Sequence, residues 1–263
     1  ASAMTDYTAA MLESQPLAQV AVESSHCKLF GTTRAWNTLY DALQVAGGSG
    51  YLTTQPYEKR MRDFRVTTIF EGTTEIHSIY PALFVLRRLS KQMQAETSGR
   101  FSKMLFLLKK LLLPPRWKLH FRHAAMNRAK RFAWYNATLL RWMLALGLLV
   151  YGRRVTGKQF FLRRITHLSL YLFGTLALLT RIEAARQGGR NVTADLDLLN
   201  YFIAAAKNAR KGDGFWSASR RERLHAKVAA ELLQPQSDKA FVQRKAESEL
   251  PVPSTAGRGS QKA

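Results

Sequence analysis

The sequence predicts an all-α protein. Apolar residues recur at spacings of three and four over most of the chain, no stretch alternates as a β-strand does, and glycines or prolines separate the periodic segments. We therefore predict a helical bundle followed by a second, basic helical bundle. With 46% hydrophobic residues among 263, the chain can bury a core and is not wholly disordered.

Four helices are predicted in the first part of the chain. They cover 3–13, about 18–46, a short segment from Pro56, and a segment from Thr73 to about residue 94. The glycines at 47–50 end the second helix, because glycine tolerates the positive φ of a helix C-terminus. The fourth helix is expected to bury one stripe, made of Ile76, Ile79, Tyr80, Leu83 and Leu86.

After a break at 97–99 the predicted helices become longer and more basic. They cover 101–113, 116–151, 154–187, 193–210 and about 218–233. The remainder is polar and contains prolines and glycines, which predicts disorder. We accordingly divide the chain into a first helical domain, a basic helical extension and a disordered tail, at residues 1–96, 100–233 and 234–263.

Charge is distributed unevenly along the chain. Residues 1–95 contain 9 basic and 8 acidic side chains, whereas residues 96–263 contain 31 and 10. No Asp or Glu occurs from 97 to 182, a stretch in which 17 Lys and Arg lie between Arg100 and Arg181. Such a surface suits an anionic membrane. It carries no recognisable motif for reading nucleic acid, so no nucleic-acid partner is expected.

The helix at 101–113 is where we expect a peripheral membrane contact. Its broad apolar face includes Leu107, Leu108 and Leu111, which we expect to insert. Its narrow polar face consists of Ser102, Lys103, Lys109 and Lys110. This pattern is typical of a helix in a membrane interface, and a bundle helix with a solvated basic edge shares it.

Other classes of site are excluded by composition. A single cysteine, Cys27, rules out a disulfide framework. His120 and His123 lie three residues apart, but basic neighbours and the lack of carboxylates argue against a metal centre. The apolar stretches 132–151 and 165–180 are predicted as buried bundle helices, because the first contains an arginine and the second is shorter than the roughly 20 residues of a span.

Glu71 is the candidate catalytic residue. It stands between the apolar run at 66–70 and Gly72, where loss of solvent would make a carboxylate a stronger base and the glycine would leave room for a substrate. The alternative is an acidic residue that interacts with the dipole of the helix at Thr73. The glycine turn at 44–50 is likewise either a phosphate-binding loop or a plain helix C-terminus.

Three motifs in a fixed order resemble the C-terminal helical domain of the acyl-CoA dehydrogenases. They are a Q-x-x-G-G-x-G-Y turn at 44–51, a Y-E-R-x-x-R-D-x-R helix at 57–65 with Lys59 in place of the commoner Arg, and an E-G-T-x-E-I signature at 71–76. The resemblance covers about the first 90 residues and implies that domain's helical bundle. The extension more loosely resembles that of the very-long-chain type. The family's N-terminal helical and middle β-domains have no counterpart in this sequence.

The resemblance implies an FAD-dependent enzyme that introduces a double bond next to the thioester of a long-chain fatty acyl-CoA, as in fatty acid β-oxidation. Glu71 would be the base that removes the α-proton, and Gly72 would lie against the thioester. FAD contact is implied for two short segments, consisting of Gln44, Val45, Ala46, Gly47 and Gly48, and of Thr73, Thr74 and Glu75.

The partners implied by the resemblance are an electron-transfer flavoprotein or similar acceptor and further copies of the chain, with the 44–48 turn reaching a neighbouring subunit's FAD. The expected location is cytoplasmic or at an inner membrane, mitochondrial in a eukaryote. The chain starts inside a predicted helix, and we expect it to be the back part of a longer protein. The alternative function is a non-enzymatic helical module of the same ancestry, membrane-associated or serving in assembly.

Overall fold

The structure, a computed structural model, describes residues 1–15, 19–112, 117 and 119–212. Over these residues it contains α-helices and two short 3-10 helices and no strand, which confirms the all-α prediction. The α-helices are α1 (Ser2–Ser14), α2 (Ala21–Val45), α3 (Gly47–Tyr51), α4 (Pro56–Arg65), α5 (Thr74–Glu96), α6 (Arg100–Leu112), α7 (Ala124–Tyr151), α8 (Gln159–Gln187) and α9 (Thr193–Gly212). The 3-10 helices are Val66–Thr68 and Gly152–Gly157.

Two helices begin later than predicted, for local reasons. The side chain of His123 accepts a hydrogen bond from the amide of Ala125 (3.2 Å) and caps α7 there. Gly152 adopts a φ of +51° and ends α7, so a 3-10 helix precedes α8. The predicted helix at 218–233 and the predicted tail from 234 lie outside the described residues.

Helix α8 lies at the centre of the bundle. It packs against α1, α2, α5, α7 and α9. Its C-terminal half forms a core with α1, α7 and α9, in which Met126, Ile182 and Leu199 are fully buried. Its N-terminal half forms a second core with α5 and α7 around Met143 and Leu162. The two predicted bundles therefore pack against each other through α8.

Helices α7 and α8 are long and apolar enough to cross a membrane by length and composition. In the most apolar window of each, 44% of α7 and 50% of α8 are buried inside the protein. The buried residues of both helices belong to the two cores, where they contact α1, α5 and α9. In this structure both helices contribute to the bundle.

The buried stripe of α5 is narrower than predicted. Leu86 is buried, and Ile79 and Leu83 are half-buried against the second core. Ile76 and Tyr80 are exposed, and the prediction that they are buried is wrong. These two residues are four apart and share one edge of the stripe, whereas α7 and α8 pack on the other edge.

His26 joins α2 to the central helix. Its side chain is fully buried, its Nε2 lies 2.9 Å from the Oγ of Ser169 in α8, and its ring packs 6.2 Å from that of Phe173. Burial, with a smaller contribution from the charge of His167, lowers the pKa of His26 to about 3. His26 is therefore neutral in the folded protein at neutral pH.

We expect mild acid to destabilise the protein through His26. The pKa of His26 is 6.5 in the unfolded chain and about 3 in the folded protein, so below pH 6.5 the unfolded state binds a proton that the folded state does not. The free energy of unfolding is therefore highest above pH 6.5 and decreases as the pH drops towards 3. Between about pH 7.5 and 5 this should lower the free energy of unfolding by about 2 kcal/mol. Chemical denaturation at both pH values measures the effect. His26→Gln, which does not titrate, should lose about 2 kcal/mol less than the wild type, and an equal loss would contradict the assignment.

Candidate functional site

Glu71 lies in a strained turn immediately before α5. Its φ of +55° is in the left-handed region, and among the described residues no other non-glycine residue has a positive φ. This conformation costs roughly 1–3 kcal/mol and persists where surrounding contacts hold it. Gly72 follows with a φ of +99°, and a Cβ there would lie 2.9 Å from the Nε2 of His77. The positive φ and the close approach of His77 are thus sufficient reasons for a glycine at this position, without reference to a substrate.

Helices α2 and α5 together hold the turn. The ammonium group of Lys28 in α2 donates a hydrogen bond to the carbonyl of Phe70 and lies 4.9 Å from the centre of its ring. In α5, His77 places Nε2 at 3.1 Å from the carbonyl oxygen of Glu71. The other ring nitrogen of His77, Nδ1, lies 2.7 Å from the Oγ of Ser25. Ser25 and Lys28 are one helical turn apart, so one face of α2 contacts the site.

The sequence analysis did not identify Ser25, Lys28 or His77. Ser25 and Lys28 have the spacing of any two residues on one helical face, and His77 is one of six histidines with no motif of its own. The spacing could have grouped the first two residues, but no local signal indicates that α2 passes beside the Glu71 turn. That proximity depends on the packing of α2 against α5.

The N-terminus of α5 is capped by Thr73, which agrees with the predicted start of this helix. Its Oγ1 accepts a hydrogen bond from the amide of Ile76 (3.4 Å) while its own backbone is extended. The hydroxyl of Thr74 donates to the carbonyl of Thr68 (3.3 Å), and Glu75 is exposed in the first turn. Because the first amides of a helix have no partner within it, this end of α5 is able to bind an anionic group.

The glycine turn ends α2 and leads directly into α3. Gly47 has a φ of +61°, as predicted for a helix C-terminus, but the residues after it form a short helix instead of an open loop. Gly50 packs on α2, where a Cβ would lie 2.8 Å from the carbonyl oxygen of Leu43. Gln44 and Val45 are exposed. The turn therefore leaves side chains and backbone exposed at the C-terminal end of α2.

The two segments predicted to contact FAD lie far apart. The glycine turn follows Val45 at the C-terminal end of α2, whereas the Glu71 turn contacts Lys28 near the N-terminal end. At 1.5 Å per residue, these two points on α2 are about 25 Å apart. A single flavin ring cannot contact both segments of one chain.

Glu71 is exposed, and the apolar side chains near it in sequence face outward. We had expected them to shield the carboxylate from solvent, and within the described residues they do not. The exposed large apolar residues of this region, which we call the site surface, are Val66, Ile69, Phe70, Ile76 and Tyr80. An exposed apolar patch on a protein surface typically marks an interaction site.

Helix α6 turns an apolar face outward. It packs on α5 and α7 through Phe106 and Leu107, and the indole N–H of Trp142 in α7 donates to the carbonyl of Leu111 (3.0 Å). The expectation that Leu107 inserts into a membrane is therefore wrong, because α7 covers it. The opposite face, which we call the α6 outer face, carries the exposed residues Phe101, Met104, Leu105 and Leu112.

Comparison with known proteins relates this chain to one family. Residues 1–80 match the family model described as Acyl-CoA dehydrogenase, C-terminal domain. The chain is 24% identical over 207 residues to the very long-chain specific acyl-CoA dehydrogenase, mitochondrial, of Macaca fascicularis. This match covers 73% of the chain and 31% of the relative. Over 218 residues, 78% of this chain, it is 25% identical to a probable acyl-CoA dehydrogenase of Bacillus subtilis (strain 168), and covers 35% of it.

The chain thus spans about a third of the length of these curated relatives. A shorter match, to the acryloyl-CoA reductase (NADH) of Anaerotignum propionicum, has a higher identity of 42% over 66 residues. It covers 25% of this chain and 17% of that protein. Among solved structures, an acyl-CoA dehydrogenase complexed with FAD from Bacillus anthracis superposes with a TM-score of 0.59. The match has 21% identity and covers 81% of this chain and 36% of the other. At that identity the likeness concerns the fold.

Proposed function

Since residues 1–80 make this chain a member of the acyl-CoA dehydrogenase family through its C-terminal domain, we propose that it is the C-terminal catalytic part of an FAD-dependent acyl-CoA dehydrogenase. The proposed reaction removes a proton from the α-carbon and a hydride from the β-carbon of a long-chain fatty acyl-CoA, as in β-oxidation. The observation that carries the proposal is the strained turn that presents Glu71. An exposed carboxylate on a turn whose backbone carbonyls are contacted by two helices suits a general base better than a packing role.

Glu71 is the base in this proposal, and its strength depends on what covers the site surface. A carboxylate in water is a weak base, and desolvation makes it a stronger one. Burial of the site surface by the remainder of a longer enzyme would exclude water from Glu71. Contact with the remainder of a longer enzyme would therefore account both for the exposed apolar residues and for the exposure of Glu71.

Two segments of the chain suit FAD. The chemistry that FAD supplies when bound is acceptance of the hydride. The amides at Thr73, Thr74 and Glu75 offer a helix N-terminus to its polar groups. The turn at 44–48 lies about 25 Å away along α2, so it would serve the FAD of a neighbouring subunit. We therefore propose a homo-oligomer, with an electron-transfer flavoprotein or a similar protein as the acceptor.

The α6 outer face supports a peripheral contact with a membrane. Its apolar residues point away from the bundle, and α7 exposes Trp134, Tyr135 and Trp142. Tryptophan and tyrosine are favoured at membrane interfaces because their rings are apolar and their polar groups remain hydrated. Residues 97–182 add basic side chains without an acidic one, which suits anionic lipid. We likewise propose a cytoplasmic or inner-membrane location, mitochondrial in a eukaryote.

We expect Glu71→Gln to abolish proton abstraction in the full-length enzyme that contains this chain. The rate of flavin reduction by acyl-CoA should fall by roughly 10²–10⁴-fold, while the dissociation constant of acyl-CoA changes little. Stopped-flow absorbance measures the rate. Glu13→Gln is the matched control, because Glu13 is also an exposed glutamate but lies on α1, outside the proposed site. An unchanged rate in Glu71→Gln would show that another group is the base.

Residues 1–263 expressed alone should be helical but should not retain stoichiometric FAD. The helix N-terminus and the glycine turn supply only part of a site, and a few contacts do not offset an association cost of at least ~4 kcal/mol. Circular dichroism and the visible spectrum of the purified chain measure both properties. A flavin band equivalent to one FAD per chain, bleached by palmitoyl-CoA, would instead show a self-sufficient enzyme.

Vesicle binding should depend on the α6 outer face. The triple variant Phe101→Ser, Leu105→Ser, Leu112→Ser should bind anionic vesicles more weakly than the wild type in a flotation assay, because the inserted apolar area is lost. Added salt should weaken both, since each basic residue near such a surface contributes about 1 kcal/mol. Leu198→Ser, a change of a comparably exposed leucine on α9, is the control. Equal binding of the triple variant would exclude α6 as the contact.

A further inference from the structure

The Glu71 turn receives hydrogen bonds at two successive carbonyls. Lys28 donates to the carbonyl of Phe70, and Nε2 of His77 lies 3.1 Å from the carbonyl oxygen of Glu71. A carbonyl oxygen only accepts, so the hydrogen in the second contact belongs to Nε2 of the imidazole. Both donors come from helices that are anchored in the bundle.

Ser25 determines how the His77 ring is oriented. Its hydroxyl is 2.7 Å from Nδ1 of His77, and Ser25 is 3% exposed. In a neutral imidazole with hydrogen on Nε2, Nδ1 is an acceptor, and the serine hydroxyl is its donor. The resulting series of hydrogen bonds runs from Ser25 through His77 to the carbonyl of Glu71. Gly72 permits the close approach of the ring, because a Cβ there would lie 2.9 Å from Nε2.

We propose that Ser25 and His77 are positioning residues that hold residue 71 in its left-handed conformation and thereby aim the Glu71 carboxylate. The inference rests on the proposed function only in giving that carboxylate the role of base. The conformation itself needs a holding contact, because a glutamate with a φ of +55° otherwise returns to negative φ. His77 is the side chain that contacts the carbonyl of that residue.

The first test measures the conformation of Glu71 in the full 263-residue chain by NMR. A residue with positive φ gives a strong nuclear Overhauser effect between its own amide and Hα protons. We expect a strong effect in the wild type and in His77→Gln, whose side-chain amide still donates to the Glu71 carbonyl. We expect a weak effect in His77→Phe, which keeps a planar ring but no donor. A strong effect in a folded His77→Phe protein would overturn the proposal.

Ser25→Ala tests the other half of the pair without a large change in volume. Without the hydroxyl that orients the His77 ring, the amide–Hα nuclear Overhauser effect of Glu71 should weaken in Ser25→Ala towards the value in His77→Phe. Ser24→Ala is the matched control, because Ser24 is the adjacent residue, is exposed and does not contact His77. A wild-type effect at Glu71 in a folded Ser25→Ala protein would contradict the role of Ser25. Circular dichroism establishes that each variant is folded.

A kinetic readout separates this inference from the proposed function. In the full-length enzyme, His77→Phe should slow flavin reduction by acyl-CoA on the order of 10²-fold with little change in the dissociation constant, and His77→Gln should restore most of the rate. If His77→Phe alters the Glu71 conformation while Glu71→Gln leaves the rate unchanged, the positioning is right and the function of Glu71 is wrong. If Glu71→Gln abolishes the rate and His77→Phe does not slow it, the positioning inference fails alone.

Discussion

The packing of α8 against five other helices is the constraint on which the rest of this structure depends. Four helices from both predicted bundles, α1, α5, α7 and α9, share their cores with it. Helix α2 is tied to it through the buried His26 and Ser169. Because α2 and α5 both lie against α8, their relative position is determined, and these two helices hold the Glu71 turn. The position of Glu71 therefore depends on the packing of α2 and α5 against the central helix α8.

The molecule presents two apolar surfaces that differ in electrostatic character. The site surface lies in a part of the chain with nearly balanced charge, and its residues surround a carboxylate and a helix N-terminus. The α6 outer face lies in a part with many cations and no acidic residue from 97 to 182. Balanced charge around apolar residues suits another polypeptide, whereas excess positive charge suits an anionic lipid surface. The two surfaces therefore suit different partners.

Tertiary contacts change the meaning of individual residues in the predicted motifs. Gly72 was interpreted as room for a substrate, but its positive φ and the neighbouring His77 already require glycine. Leu107 was assigned to a membrane-facing stripe and instead belongs to a core with α7. In both cases the periodicity or motif was real. Neither pattern, however, shows which side chain or helix lies next to the residue in the folded protein.

The sequence by itself determined the helices and their ends near Gly47 and Thr73, because helix periodicity, capping and glycine conformations are local properties. It also singled out Glu71. Only the tertiary structure decided that Ser25, Lys28 and His77 hold that residue, that the glycine turn and the Glu71 turn lie near opposite ends of α2, and which faces of α5 and α6 remain exposed. These features depend on which helices pack together, and each helix has more apolar surface than its neighbours cover, so periodicity alone cannot say which part is buried.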